Sequence, residues 1–219
     1  MNWDLIWSSF GPIIGGAVTG TIPLTLASFA IGLVLALLVA LMRLSSNWLV
    51  SGIGRFYVSV IRGTPLLVQL FVIFFGLPSL GIKLDPWPSA IIAFSLNVGG
   101  YAAEIIRAAI LSVPKGQWEA GHTIGMSRPQ ALVRIILPQA ARVSVPPLSN
   151  TFISLVKDTS LASLILVTEL FRNAQQIAAF SQEFMALYLQ AALVYWIICL
   201  VLSTAQSDVE RRLDRYVAH

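Results

Sequence analysis

Charged residues are scarce in this chain: Asp, Glu, Lys and Arg make up 11% of its 219 residues, whereas about a quarter is usual in soluble domains. Hydrophobic residues make up 57%, and a soluble fold of this length could not bury so much apolar surface. The composition therefore predicts a polytopic membrane protein. The N-terminus lacks the basic region of a cleaved signal peptide, and no hydrophilic stretch is long enough for a separate soluble domain. We expect one membrane domain over residues 1–219.

Cysteine is almost absent, since Cys199 is the only one and lies in an apolar run. This excludes disulfide frameworks within the chain and cysteine-based metal clusters. The sequence also lacks a phosphate-binding Gly-Lys-Ser/Thr loop, a nucleophile elbow and a His-rich metal motif. We therefore expect no catalytic, cofactor-binding or metal-binding residue in this chain. The net charge of +4 does not indicate a nucleic-acid partner, because the basic residues lie between apolar runs and form no continuous patch.

A helix needs about 20 mostly apolar residues to cross a membrane. Five stretches of the sequence meet this requirement. The second contains Gly63 and Pro65 near its start, which predict either a gating hinge or a proline tolerated by ordinary packing. Pro12 and Pro23 predict breaks where the first begins. The predicted spans cover residues 17–42, 56–77, 88–111, 143–167 and 184–205.

The distribution of basic residues predicts the orientation of these spans. With five spans the two termini face opposite sides, and basic loops face the cytoplasm. Only Lys83 and Arg172 fall on one side, and Lys157 lies within a span. We therefore expect the N-terminus outside and the C-terminus in the cytoplasm. The eleven basic residues assigned to the cytoplasmic side are Arg43, Arg55, Arg62, Arg107, Lys115, Arg128, Arg134, Arg142, Arg211, Arg212 and Arg215.

The longest polar interval, residues 112–142, is predicted to form two short helices on the cytoplasmic side. The first covers residues 115–124 and leads to Gly125, because glycine tolerates the left-handed conformation that often ends a helix. Ser127 is placed to cap the second helix, and Pro138 to end it. The expected product is a compact helix–turn–helix at the membrane surface.

This interval resembles the EAA loop of ATP-binding-cassette (ABC) importer permeases. That pattern is Glu-Ala-Ala, three residues, Gly, nine residues and Ile-x-Leu-Pro, and the only departure here is Gly121 in place of the second alanine. The resemblance implies a type I importer fold, all-α with five spans, in which the first loop helix docks on a cytoplasmic ATPase and transmits its closure. The residues implied in this coupling are Glu119, Ala120, Gly121, Gly125, Ile135, Leu137 and Pro138.

Other segments are similar to the polar amino-acid branch of that family, and especially to cystine permeases. The similar segments are residues 62–69, 101–107, 146–150 and 154–161, together with Arg55-Phe56-Tyr57, Leu84-Asp85-Pro86 and Gln117-Trp118-Glu119. The resemblance implies a permease for L-cystine, or for glutamine, arginine or histidine. The implied partners are a second, identical permease subunit, an ATPase dimer that holds ATP and Mg, an extracytoplasmic binding protein and membrane lipid. The implied location is the bacterial inner membrane.

Polar residues inside the predicted fourth span are candidates for substrate contact, because charge in a bilayer is costly. Lys157 and Asp158 could meet the carboxylate and ammonium groups of an amino acid, or they could form a structural ion-pair network. Asn150 and Ser154, spaced i, i+4, could line an aqueous path or hold helices together by hydrogen bonds. Thr159 is a further candidate from the same motif.

Two polar residues outside the fourth span are also candidates. Gln69 belongs to the motif of the second span. Glu104, in the third span, is expected to pair with Arg107 at i, i+3, a pairing that is either structural or part of the pathway. A passive channel or a membrane scaffold would explain the five spans and the charges within them, but not the spacing of the cytoplasmic loop.

Overall fold

The computed structural model describes residues 3–214, with side chains for residues 3–212, and this part of the chain contains helices and no strand. The prediction of an all-α chain is confirmed. Eight helices are present in the described residues. They are α1 (Trp3–Arg43), α2 (Trp48–Gly63), α3 (Leu66–Leu80), α4 (Pro86–Ser112), α5 (Lys115–Thr123), α6 (Arg128–Ile165), α7 (Leu170–Ser181) and α8 (Phe184–Asp214).

Three of these helices, α1, α4 and α8, are long and apolar enough to cross a membrane on their own. Two consecutive pairs also pass that test but are bent. The pair α2 and α3 turns by 104°, and the pair α6 and α7 turns by 48°. The described residues therefore hold three to five spans by length and composition, and the predicted five is the upper count.

Helix α1 differs from its prediction because it begins at Trp3 and continues through both prolines. The expected breaks at Pro12 and Pro23 were wrong. Directly before Pro23 the helix widens into a π-helical segment, Ala17–Thr21, in which the Ile22 N–H bonds the Ala17 carbonyl. The wider turn adapts the hydrogen-bond ladder to the missing proline N–H, so the helix does not need to stop.

The second predicted span, residues 56–77, is not one helix. It is divided at Thr64 and Pro65 into α2 and α3. Both residues are extended, with ψ of 145° and 139°, because the residue before a proline is pushed out of the α region and Pro65 has no N–H to continue the ladder. The kink is therefore present, and its role as a gating hinge stays a prediction.

Helix α6 also runs past the proline that was expected to end it. A π-helical segment, Leu132–Ile136, precedes Pro138, and the α-helical conformation then continues to Asp158 before a 3₁₀ stretch ends at Ile165. The fourth predicted span, residues 143–167, is thus the second part of a helix that begins in the loop. The fifth, residues 184–205, continues to Asp214, and Arg215 lies outside the described residues.

The third span was predicted within two residues, since residues 88–111 fall inside α4. This helix is the centre of the fold and packs along α1. A Cβ atom on Gly32 of α1 would lie 2.6 Å from the Val98 side chain, so only glycine allows this approach. Ala36 and Ala40 are fully buried, so α1 presents small residues spaced by four to its neighbours.

Two further apolar clusters connect the remaining helices. One joins the first half of α1 to α7 and α8 through Ile13, Leu170 and Ala191. The other joins the end of α4 to the start of α6 through Ile110 and Ile136. In this second cluster the side chains of α5 and α6 are packed against the ends of the long helices, so the loop is anchored to the membrane part of the fold.

Candidate functional site

The break between α2 and α3 is held open by the side chain of Gln69. In an unbroken helix the Ile61 carbonyl would accept from residue 65, but Pro65 has no N–H. The Gln69 amide nitrogen donates to that carbonyl at 2.7 Å and to the Thr64 hydroxyl at 2.9 Å. Its Oε1 accepts from the Asn97 amide of α4 at 3.1 Å. The break is therefore a formed structure and is tied to the central helix.

A cavity of about 390 Å³ opens beside this break, between α2, α3, α4 and α6. Its volume lies within the range of about 300–1,000 Å³ that is typical of small-molecule sites. Polar and apolar groups alternate on its wall. The lining residues are Thr64, Pro65 and Leu66 at the break, Asn97, Val98 and Tyr101 on α4, and Asn150, Thr151, Ser154, Leu155 and Asp158 on α6.

The polar groups of this cavity suit a small zwitterion. Asp158 is the one charged residue among those lining it and could accept from an ammonium group. Asn97 and Asn150 present amides, and Thr64, Ser154 and the Tyr101 phenol present hydroxyls, all of which can donate to a carboxylate. A broken helix beside a polar cavity is a recurring way to build a substrate site within a membrane.

Several predicted pathway residues lie together here and others do not. Asn150, Ser154 and Asp158 line the cavity on one face of α6. Lys157 is exposed and lies outside the lining, and Thr159 is fully buried with its hydroxyl donating to the Val156 carbonyl at 2.7 Å. Lys157 therefore does not lie beside Asp158 in the wall of this cavity, and the substrate contacts of the two residues stay a prediction.

Gln69 contacts the cavity only through its partners Thr64 and Asn97. Glu104 lies elsewhere, in an ion cluster at the end of α1. It accepts from Arg107 Nε at 3.1 Å and also pairs with Arg43. The expected pair of Glu104 and Arg107 is confirmed. The cluster links the end of α1 to α4.

Two residues of the cavity wall, Asn97 and Tyr101, were not predicted as candidates from the sequence. Asn97 is an uncharged polar residue within an apolar run of α4, and such residues mark helix contacts or pathways in membranes. That signal was available but cannot distinguish the two roles, because its partner Gln69 is 28 positions away. The guanidinium of Arg62 lies over the Tyr101 ring, 5.5 Å from the ring centre. This cation–π contact places a positive charge beside the cavity wall.

The loop between α4 and α6 has the geometry that its glycine predicted. Gly125 has φ of +80°. Its N–H bonds the His122 carbonyl at 3.0 Å, and the Met126 N–H bonds the Gly121 carbonyl at 3.0 Å. These two bonds form a Schellman motif, which ends α5. Ser127 then begins α6 with a capping box to Gln130, so the predicted helix–turn–helix is present, except that its second helix continues.

The residues of the EAA-like motif divide between surface and interior. Glu119, Ala120 and Pro138 are exposed, whereas Ile135 and Leu137 are half-buried and pack against the loop cluster. Gly121 is buried, and a Cβ atom there would lie 3.1 Å from the Cβ atom of Ala131. The departure from the usual alanine therefore matches a close approach of α5 to α6.

Comparison with known proteins connects this architecture to transport. The pattern of the family described as "Binding-protein-dependent transport system inner membrane component" matches residues 28–215. The L-cystine transport system permease protein TcyB of Bacillus subtilis (strain 168) is 62% identical over 217 residues, which cover 99% of this chain and 93% of that protein. The glutamine transport system permease protein GlnP of Escherichia coli (strain K12) is 38% identical over 214 residues, 97% of each chain.

A solved structure extends the likeness to three dimensions. The crystal structure of an amino acid ABC transporter with histidines matches with a TM-score of 0.90 at 34% identity, over 97% of this chain and 99% of that chain. The predicted type I importer fold is thereby confirmed. The chain belongs to the family of binding-protein-dependent transport system inner membrane components, the permease subunits of ABC importers.

Proposed function

We propose that this chain forms the translocation path of an ATP-driven importer that carries L-cystine inward. The observation that carries this proposal is the polar cavity at the break between α2 and α3. Its wall has a carboxylate for an ammonium group and several neutral donors for a carboxylate. The choice of cystine within the amino acids is supported by the relative named for L-cystine transport, which is 62% identical.

The substrate contacts follow from the chemistry of the cavity wall. Asp158 receives the ammonium group, and Ser154 and Asn150 lie one and two turns before it, respectively, on the same face. The substrate carboxylate lies toward Asn97 and Tyr101, where Arg62 adds a positive charge above the phenol ring. Gln69 acts through the break that it stabilises, without touching the substrate.

The assembly around this chain follows from its surfaces and its family. Glu119 and Ala120, exposed on α5, dock on a cytoplasmic ATPase dimer, which binds ATP and Mg and supplies all the hydrolysis. Two copies of the chain pack around one path in the bacterial inner membrane, with the N-terminus outside and the C-terminus in the cytoplasm. A binding protein delivers the amino acid to the outer face.

The test is reconstitution in liposomes with the cognate ATPase and binding protein, followed by uptake of radiolabelled cystine. Glutamine, arginine and histidine are added as competitors. Gly125→Val serves as the uncoupled variant, because valine is strained at φ of +80°. Gly52→Val is its matched control, since a Cβ atom at Gly52 in α2 meets nothing within 4 Å.

We expect ATP-dependent cystine uptake that Gly125→Val abolishes and Gly52→Val leaves within about twofold of the wild type. Uptake of a different amino acid would keep the importer and overturn cystine as the substrate. Flux without ATP that is equal in both variants would contradict the importer and favour a passive channel.

A further inference from the structure

A second and larger cavity, of about 810 Å³, lies under the loop. It is distinct from the translocation cavity and shares no lining residue with it. Leu41 and Leu44 at the end of α1 form one wall, and Ile110 and Leu111 at the end of α4 form another. The remaining walls come from α5 and the first turns of α6. We call it the loop cavity.

The loop cavity has an apolar interior and a basic rim. Leu41, Leu111 and Leu132 are among its apolar residues, and Trp118 lies half-buried in its wall. Lys115, His122 and Arg128 line it as exposed basic side chains, and Glu119 is the one acidic residue of the lining. Apolar helix ends beneath a cluster of cations suit an amphiphile with an anionic head.

We propose that the loop cavity binds one anionic phospholipid from the membrane leaflet on the loop side. Its acyl chains lie along the leucines of α1 and α4, and its phosphate is held by Lys115 and Arg128, with His122 as a further donor. Basic pockets between the ends of membrane helices are typical binding sites for acidic lipid head groups. The excess of basic over acidic side chains favours an anionic lipid over a zwitterionic one.

Of the two α5 residues proposed to meet the ATPase, Glu119 also lines the loop cavity and Ala120 does not. Lys115, Trp118, Glu119 and His122 are spaced i, i+3, i+4 and i+7, so they share the face that lines the loop cavity. Ala120 lies about 150° away from the centre of that face, by the rotation of 100° per residue. The lipid and the ATPase therefore contact different faces of α5, with Glu119 at the boundary between them.

A lipid in this position would join the loop to the membrane helices. Its head group would contact α5 and α6, while its chains would contact α1 and α4. The loop would then move as one body with the helix ends, so ATP-dependent transport would require an acidic lipid. This consequence rests on the proposed function, whereas lipid binding itself does not.

The experiment is native mass spectrometry of the full purified chain in detergent, titrated with phosphatidylglycerol or phosphatidylcholine. The test variant is the double substitution Lys115→Gln with Arg128→Gln. Its matched control is Arg134→Gln with Arg142→Gln, which removes two exposed charges from the same loop region but none from the loop cavity. Leu111→Trp is a second test variant, which narrows the cavity without changing its charge.

We expect one phosphatidylglycerol to bind with preference over phosphatidylcholine. Each lost basic residue should weaken that binding about fivefold, so the test double should weaken it about 25-fold and the control double by less than twofold. Leu111→Trp should weaken the binding of both lipids by the same factor. Circular dichroism and gel filtration verify that each variant is folded.

Three outcomes would overturn the proposal. Equal binding of the two lipids by the wild type would remove the anionic preference. Displacement of phosphatidylglycerol by inorganic phosphate alone would indicate that the loop cavity is a site for a free anion. Unchanged lipid binding in the test double, together with weaker association with the cognate ATPase, would assign the basic rim to that protein. None of these results depends on whether cystine is transported.

Discussion

Glu169 is fully buried, and its replacement should destabilise the fold more than that of any exposed carboxylate. Its Oε1 accepts from the Arg172 N–H at 2.6 Å, and its Oε2 accepts from the Phe171 N–H at 2.8 Å and from the Tyr195 hydroxyl at 2.9 Å. It thus caps α7 and fastens α8. Helix α1 also packs closely against Glu169, because a Cβ atom on Gly20 would lie 2.5 Å from the Glu169 Cα atom.

The size of the effect follows from the donors left without a partner. Glu169→Ala removes a helix cap worth about 0.5–2 kcal/mol. It also removes the acceptor of the Tyr195 hydroxyl, at a cost of about 1–3 kcal/mol if that hydroxyl finds no other partner. Because such terms are not strictly additive, we expect a total loss of roughly 2–5 kcal/mol. Glu169→Gln keeps one acceptor oxygen and should lose about 1–2 kcal/mol.

The measurement is the free energy of unfolding of the purified chain in mixed micelles, titrated with SDS and followed by circular dichroism. Glu119→Ala is the matched control, because Glu119 is exposed on α5 and its removal should change stability by less than about 0.5 kcal/mol. The order of stability should be wild type and Glu119→Ala, then Glu169→Gln, then Glu169→Ala. Equal free energies of unfolding for Glu119→Ala and Glu169→Ala would refute the role of Glu169 in holding α7 and α8 together.

Three further predictions concern the cavity and the core. Gln69→Leu should destabilise the chain by about 1–3 kcal/mol in the same SDS assay, because the Ile61 carbonyl loses its substitute donor, and no change would contradict the assigned role. Asp158→Asn should lower cystine uptake by liposomes at least about tenfold, a loss of one charged contact, whereas Lys157→Gln should lower it less than threefold. The reverse order would contradict the position of Asp158 in the cavity wall. Gly32→Leu should reduce the yield of folded chain in gel filtration, since its Cβ atom would meet Val98 at 2.6 Å.

Local chemistry made part of this architecture predictable from the sequence. The end of α5 at Gly125 and the start of α6 at Ser127 depend on neighbouring residues only, and both were predicted. The bounds of α4 were also close, because an apolar run between Pro86 and Pro114 has few other possibilities. The shared face of Asn150, Ser154 and Asp158 followed from helical spacing alone.

The role of each proline could not be read from the sequence. A π-helical segment ends two residues before each of Pro23, Pro78 and Pro138. Helices α1 and α6 continue as regular helix after the proline, whereas α3 ends soon after it in a 3₁₀ turn. Pro65 has no such segment before it, and there the chain breaks. The residues around these four prolines do not show whether the helix continues or breaks, because the hydrogen-bond register depends on packing against other helices.

The arrangement of continuous and broken helices indicates which wall of the polar cavity beside Thr64 and Pro65 is stiff. The wall on α4 is one unbroken helix packed along α1, and is therefore stiff. The other walls are the break at Thr64 and Pro65 and the residues of α6 from Asn150 to Asp158, where its α-helical part ends. From Arg128 to Asp158 helix α6 is a rod of 31 residues, about 45 Å at 1.5 Å per residue. We expect a displacement of the loop to reach Asp158 through this helix, because its first turn belongs to the loop and Asp158 lies at the end of its α-helical part.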